Sequence, residues 1–255
     1  MTGDATNLGG RTWLVLGASS AIARAFARLV AEAGATVWLA GRDADDLARG
    51  AADLAVRGGA RAETMAFDAR DPASIAAVVA RCRDGVAPGM LDVFVAFGAM
   101  PEQAAMEADP ALAVATIEAT YTGAVAVLLG LAPLLEAGRR GHVVVLGSVA
   151  GDRGRLKNYV YGSAKAGLAV FTAGLRNRLF RAGVLVTTVK PGFIDTAMTW
   201  GLPGLFLVAA PDTAARATLA AALAGREVVY VPRFWALVML IIRLIPERLF
   251  KRLSI

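Results

Sequence analysis

The chain has 255 residues, is 56% hydrophobic and carries a formal net charge of +6, with one Cys and one His. That length fits one α/β domain better than two, and the apolar share is ample for a large core. A single cysteine excludes a disulfide framework and a cysteine-based zinc site. A single histidine argues against a histidine metal cluster or a Ser–His–Asp triad, and no metal is expected. The basic excess is not gathered into a run interleaved with aromatics, so nucleic acid is not an expected partner.

In chain order, Met1 to Arg11 is polar and Gly-rich and lacks the pattern of a signal peptide. Trp13 to Leu16 reads as a buried strand, followed by the turn Gly17-Ala-Ser-Ser-Ala-Ile-Ala23 and an Ala-rich helix to Ala33. A first strand, a small-residue turn and a helix make a dinucleotide site, with backbone N–H groups and the helix dipole holding the pyrophosphate. Gly17, Ser19, Ser20, Ala21 and Ile22 are therefore candidate cofactor contacts. One glycine stands where such loops usually carry three, which leaves an ordinary strand–helix turn as the alternative.

Thr36 to Ala40 is the second strand and Asp43 to Arg57 the second helix. Arg42 follows that strand directly, and no acid is there to bind a ribose 2′-hydroxyl. A guanidinium suits a 2′-phosphate, favouring NADP over NAD, or else it is a solvated residue starting a helix. Ala62 to Phe67 is the third strand, and Asp68 at its end either contacts the adenine amino group or caps a turn. Pro72 to Arg83 is a helix in which Cys82 is a buried thiol. Leu91 to Ala96 is the fourth strand, and Pro110 to Leu135 a long helix.

His142 to Leu146 is the fifth strand, which His142 merely opens, and Ser148 lies just beyond it. The helix Tyr159 to Arg181 follows, then strand six from Val184 to Lys190. Tyr161 and Lys165 are one helical turn apart and leave the same face, where an ammonium can lower a phenol's pKa. The alternative is a pair of ordinary helix-surface residues. Strands of continuous Val/Leu/Ile character between helices imply a parallel sheet covered on both faces and doubly wound. No linker or repeat divides the chain. Residues 1–232 read as a dinucleotide-binding domain of Rossmann type, and 233–255 as a helical extension of it.

The segment after strand six, Met198 to Val208, is apolar. A lid of that kind fits a hydrophobic or lipid-like substrate, or else packs on the core or a second subunit. In the tail, Phe234 to Ile242 is an unbroken apolar run flanked by Arg233 and Arg243, and apolar character resumes through Ile245. As a helix these twelve residues reach about 18 Å, short of a hydrocarbon core of roughly 30 Å, so the segment does not span a membrane. Beyond Pro246, Leu249, Phe250 and Leu253 fall toward one face with Arg248, Lys251 and Arg252 around it. Such a face suits a helix lying in a membrane interface, or a segment packed on the sheet or across subunits.

Taken together, Gly17 to Ala23, Asp68, Ser148, Tyr161, Lys165 and Pro191-Gly192-Phe-Ile194-Asp-Thr196 resemble the short-chain dehydrogenase/reductase family. Three departures stand out: Ala21 and Ala23 replace loop glycines, Val95-Ala96-Phe97-Gly98 replaces Asn-Asn-Ala-Gly, and Thr120 stands where the family has a catalytic asparagine. Phe97-Gly98, the segment Tyr159 to Lys165 and the tail Pro232 to Ile255 look like the decaprenylphosphoryl-2-keto-ribose reductases.

The resemblance implies carbonyl reduction with NADPH, with Tyr161 as the proton donor and Ser148 as a donor to the developing alkoxide. Lys165 lowers the Tyr161 pKa and holds the nicotinamide ribose. Pro191 to Ile194 positions the nicotinamide, alongside Phe97 and Gly98, and Thr196 reaches the carboxamide or pyrophosphate. Thr120 offers a proton relay, or merely packs. It further implies a lipid-linked keto sugar as substrate, an FAD-dependent sugar oxidase as partner and a homodimer or homotetramer. The alternatives are a reductase of a small soluble ketone or an acyl thioester, and a non-catalytic nucleotide-binding partner of an oxidase. The expected location is cytoplasmic, peripheral to the inner face of the membrane.

Overall fold

The computed structural model describes residues 7–58, 61–201 and 206–253. Seven parallel strands form one sheet in the order β3-β2-β1-β4-β5-β6-β7. They are β1 (Thr12–Leu16), β2 (Thr36–Gly41), β3 (Ala62–Ala66), β4 (Leu91–Val95), β5 (Gly141–Leu146), β6 (Val184–Pro191) and β7 (Val228–Val231). The central strands have no polar face, because helices cover both sides of the sheet. On one side Trp13, Val15, Val37 and Leu39 pack with Phe26, Val30 and Ala215. On the other, Leu14, Leu16, Val93 and Val145 pack with Leu128, Leu131, Leu168 and Leu175.

The helices on the first side include α1 (Ala21–Glu32) and α2 (Ala44–Gly58). The chain continues through α3 (Pro72–Gly85), α4 (Gln103–Ala108), α5 (Pro110–Ile117) and α6 (Gly123–Gly138). A π-helical turn, Glu118–Thr122, joins α5 to α6. The long helix expected from Pro110 to Leu135 is therefore present, running from Pro110 to Gly138 with the π-helical turn inside it. Gly123 follows this turn because a Cβ there would lie 2.1 Å from the Ala69 carbonyl oxygen. A 3-10 turn, Val149–Asp152, precedes α7 (Tyr159–Phe180), and α8 (Pro211–Leu223) precedes β7. Neither α8 nor β7 was expected from the sequence pattern.

His142 is a structural residue, second in β5 after Gly141 rather than its opening residue. Its Nδ1 lies 2.9 Å from the buried Asp92 carboxylate, which also pairs with Arg11. Cys82 is buried, and desolvation pushes its thiol up to about 12.

The tail forms α9 (Trp235–Leu244) and α10 (Glu247–Phe250). One face of α9 is packed: Trp235 and Met239 are buried against Val149, with Phe193 and Tyr230 alongside. The opposite face leaves Leu237, Leu240, Ile241 and Leu244 exposed. Arg153 clamps the end of α9, donating from Nη1 to the carbonyls of Ile242 (2.7 Å) and Ile245 (2.6 Å), with Nη2 on Glu247. Its guanidinium also lies 3.8 Å from the centroid of the Phe250 ring. Phe250 therefore does not share an open face with Leu249 and Leu253; it is buried beneath Arg153, while those two are exposed.

Candidate active site

Strand order reverses between β1 and β4, so the helices following them diverge and open a crevice at the C-terminal ends of the strands. A cleft of about 720 Å³ occupies this position. At its floor, Gly17 has φ +79°, and a Cβ on it would meet the Phe97 backbone nitrogen at 2.8 Å. Only this loop position demands glycine on backbone grounds. Ala23, where the family has its third glycine, is buried in the core without strain.

Ser19, Ser20, Ala21 and Ile22 line the cleft at the start of α1. The first N–H groups of a helix lack intrahelical partners and accept an anion. One is already used, since the Ser20 hydroxyl accepts from Ala23 N at 3.1 Å and caps the helix. The residues thus fit a dinucleotide whose pyrophosphate meets the open amides.

Arg42, Asp68, Arg24 and Arg70 line the same end of the cleft. Asp68 caps a turn through Oδ1, which accepts from Arg70 N at 2.9 Å. Arg24 was not singled out from the sequence, although it lies four residues after Ser20 and so on the same helical face. It donates to the Ser19 carbonyl and to Asp46, which leaves Arg42 the more available cation at this rim.

At the other end, Ser148, Tyr161 and Lys165 come together, with Phe97, Gly98, Pro191, Gly192, Ile194 and Thr196 along the walls. Ser148 follows β5 and accepts from Ala150 N at 3.0 Å. Tyr161 and Lys165 are on the buried face of α7. Burial pushes the Tyr161 phenol up to about 12, and its hydrogen bond to Ser148 only partly offsets this. Burial outweighs any lowering of Tyr161 by Lys165. The ammonium is held by the Leu146 carbonyl at 2.7 Å and lies 5.8 Å from the phenol ring centroid. Burial also pushes Lys165 down to about 8.

Thr120 is the site residue that the structure does not bring to the cleft wall. It is fully buried in the π-helical turn. Its hydroxyl accepts from Ala99 N at 3.0 Å and donates to the Ala99 carbonyl at 3.2 Å. Both capacities are spent on backbone, which leaves no free hydroxyl proton for the expected relay. Thr120 is a positioning residue that ties the segment after β4 to the π-helical turn.

Arg155 and Asn158 also line the cleft, from the turn between the 3-10 helix and α7. No sequence motif marked them, because they lie in a loop whose course depends on the tail packed beside it. The apolar segment after β6 contributes Met198 and Thr199 to the cleft and leaves Trp200 85% exposed. Residues 202–205 of that segment lie outside the described residues.

Comparison with known proteins agrees with this geometry. The family described as short chain dehydrogenase matches residues 11–203. An uncharacterized oxidoreductase of Mycobacterium tuberculosis is 39% identical over 242 residues, covering 94% of this chain and 96% of that protein. A sulfoacetaldehyde reductase of Chromohalobacter salexigens is 35% identical over 187 residues, covering 73% of each. Among solved structures, a short-chain dehydrogenase from Sphingobium yanoikuyae in complex with NADPH superposes with a TM-score of 0.76 at 26% identity. That match covers 89% of this chain and 92% of that one.

Proposed function

Because the chain belongs to the short-chain dehydrogenase family and is an oxidoreductase, we propose that it is an NADPH-dependent reductase converting a keto group to a hydroxyl. We further propose that this is the 2-keto group of a polyprenyl-phosphate-linked sugar. The observation that carries the reading is the convergence of Ser148, Tyr161 and Lys165 on one cleft, beside the exposed apolar segment after β6. Arg42 at the adenosine end supports NADPH over NADH, because a guanidinium complements a 2′-phosphate.

When bound, NADPH supplies the hydride. Tyr161, protonated at neutral pH, holds the proton that the carbonyl oxygen takes as it becomes a hydroxyl. Ser148 is hydrogen-bonded to that phenol and can share the charge building on the oxygen. The Lys165 ammonium supplies a positive charge behind the phenol, on the side closed by the Leu146 carbonyl.

The exposed apolar residues support the lipid part of the reading. Trp200, Phe206 and Leu207 in the segment after β6 and Leu240 and Leu244 on α9 are all exposed. The Phe206 and Trp235 rings meet at a tilt with centroids 5.6 Å apart, joining segment and tail. Exposed Arg233, Arg243, Arg248, Lys251 and Arg252 accompany them, matching an anionic bilayer surface. The protein then works at the cytoplasmic face of a membrane. Self-association falls elsewhere, on α6 and α7, where Leu129, Val170 and Phe180 are exposed. An FAD-dependent oxidase of the sugar alcohol is the partner that supplies such a ketone.

The test is NADPH consumption with a polyprenyl-phosphate keto sugar, the same sugar without the lipid, and sulfoacetaldehyde. The lipid-bearing ketone should give the highest kcat/KM. Tyr161→Phe should lower turnover by about 10²–10⁴ while keeping NADPH binding. A second reading, reduction of a small soluble carbonyl, draws on the sulfoacetaldehyde reductase relative. It wins if the small compound is preferred. Substantial turnover by the Phe variant removes Tyr161 as the acid.

A further inference from the structure

Six buried side-chain polar atoms have no hydrogen-bond partner among the described residues. Four belong to Trp13, Trp38, Thr218 and Trp235, which do not line the cleft. The other two, Nε of Arg155 and Oδ1 of Asn158, belong to residues that do. They sit in one turn, closed by Asn158 N donating to the Arg155 carbonyl at 3.2 Å. That turn runs straight into α7, three residues before Tyr161. Asn158 is the N-cap residue of α7, yet its side chain makes no capping bond.

We propose that Arg155 and Asn158 form the substrate subsite for an oxyanion carried next to a hydroxyl, with Arg155 holding the oxyanion and Asn158 accepting from the hydroxyl. The proposal deepens the reductase reading and rests on it for identifying the bound molecule as substrate. The substrate class is then an anionic, hydroxylated ketone, such as a sugar with a phosphate or carboxylate near the reacting carbon.

The surroundings leave Arg155 available. Asp152 is its charged neighbour, but that carboxylate already takes Lys190 at 2.5 Å and the Tyr230 hydroxyl at 2.7 Å. Arg153 is spent on the tail carbonyls and Glu247. Burial lowers the Arg155 pKa and the nearby Asp152 charge offsets this only in part, so the cation carries a net desolvation penalty. An oxyanion reverses that penalty, and the planar guanidinium suits phosphate or carboxylate through paired N–H bonds. An unpaired carbonyl oxygen on Asn158 selects a donor, which a substrate hydroxyl supplies. Both groups lie on the Tyr161 side of the cleft, away from the Arg42 end where the cofactor's 2′-phosphate is expected.

The test uses the full chain saturated with NADP+. Binding of methyl phosphate, acetate and glycerol 1-phosphate, with methanol as the neutral control, is measured by saturation-transfer NMR on their own protons. Arg155→Gln should weaken at least one anion by roughly tenfold to a hundredfold. Arg155→Lys should keep part of the binding. Asn158→Ala should weaken glycerol 1-phosphate more than methyl phosphate. Retained NADP+ affinity certifies that each variant is folded. A preference for methyl phosphate over acetate assigns a phosphate ester, and the reverse a carboxylate. If no anion binds better than methanol, or Arg155→Gln binds anions as well as the unaltered chain, the subsite is wrong. No turnover enters this measurement, so its failure is separate from failure of the reductase reading, which shows as absent NADPH-dependent reduction.

Discussion

Trp235 lies so close to Gly192 that a Cβ on the glycine would sit 1.9 Å from the indole Nε1. The first turn of the tail helix therefore rests on the turn that ends β6 and lines the cofactor cleft. The tail is part of the site's foundation as well as a surface feature. Trp235→Ala removes a buried indole and should cost about 3–5 kcal/mol of stability. It should also raise the KM for NADPH, because the Gly192 backbone loses its support. Urea unfolding and initial rates at varied NADPH concentration measure the two effects. A variant with unchanged KM would show that the turn holds its shape without the indole.

Much of the architecture was legible because continuous apolar runs such as Val143 to Leu146 have one stable home, a strand buried on both faces. The turn at Gly17 was legible for a similar reason: the steric demand is local. Thr120 was not. Its hydroxyl is engaged by Ala99, 21 residues away, and the π-helical turn that places it has no short-range sequence signature. The grip of Arg153 on the tail, and with it the burial of Phe250, joins residues about 90 apart and was equally hidden. β7 escaped because Val228–Val231 is a four-residue edge strand with an exposed start. At the active site, spacing placed Tyr161 and Lys165 on one face, but only the three-dimensional packing shows how strongly burial acts on each.

Those two opposing shifts predict a pH profile. Lys165 titrates at about 8, lowered by burial, so its ammonium is present below that pH and lost as pH rises through it. Tyr161, at about 12, keeps its proton across the same range. The kcat/KM for NADPH in the reductive direction should be level through neutral pH and fall about tenfold per unit above about 8. Lys165→Arg, which stays charged, should shift that descending limb upward if it retains activity. A limb that does not respond to the substitution belongs to another group.

Arg42 predicts cofactor choice. Only NADPH carries a 2′-phosphate, and Arg42 lines the cleft immediately after β2. Arg42→Ala should weaken NADPH by roughly tenfold to a hundredfold, the worth of a charged hydrogen bond, and change NADH little. Equal losses for the two cofactors would move the 2′-phosphate contact elsewhere, with Arg24 and Arg70 the next residues to substitute.

Thr120 predicts a split between chemistry and binding. Thr120→Val keeps the shape but strips both bonds to Ala99, leaving a half-buried N–H and carbonyl unpaired at no more than about 1–3 kcal/mol each. The segment after β4 should loosen next to Lys165, since Gly98 approaches both Thr120 and Lys165. Turnover should fall with NADPH affinity nearly intact, and Thr120→Ser, which keeps the hydroxyl, should restore much of the rate. A Ser variant as slow as Val would mean that the methyl packing, not the pin to Ala99, is what matters.

The tail's outer face predicts membrane binding. Leu237, Leu240, Ile241 and Leu244 recur at helical spacing on α9 and are all exposed, Leu244 at 72%. They lie opposite the buried Trp235 and Met239, so substituting them leaves the packed face untouched. Deleting the tail is the poorer experiment, because it would uncover the turn at Gly192. Each basic residue near anionic lipid adds roughly 1 kcal/mol, and an apolar face beside a basic rim is the pattern of interfacial helices. Co-sedimentation with anionic liposomes at low salt should therefore pellet the intact chain. Changing Arg248, Lys251 and Arg252 to Gln should weaken this in a salt-dependent way, and changing the four apolar residues to Ser should weaken it at any salt. Both variants should unfold at the temperature of the parent. If the intact chain stays in the supernatant while the Ser variant alters its oligomeric size, the face joins copies of the protein and the bilayer reading falls.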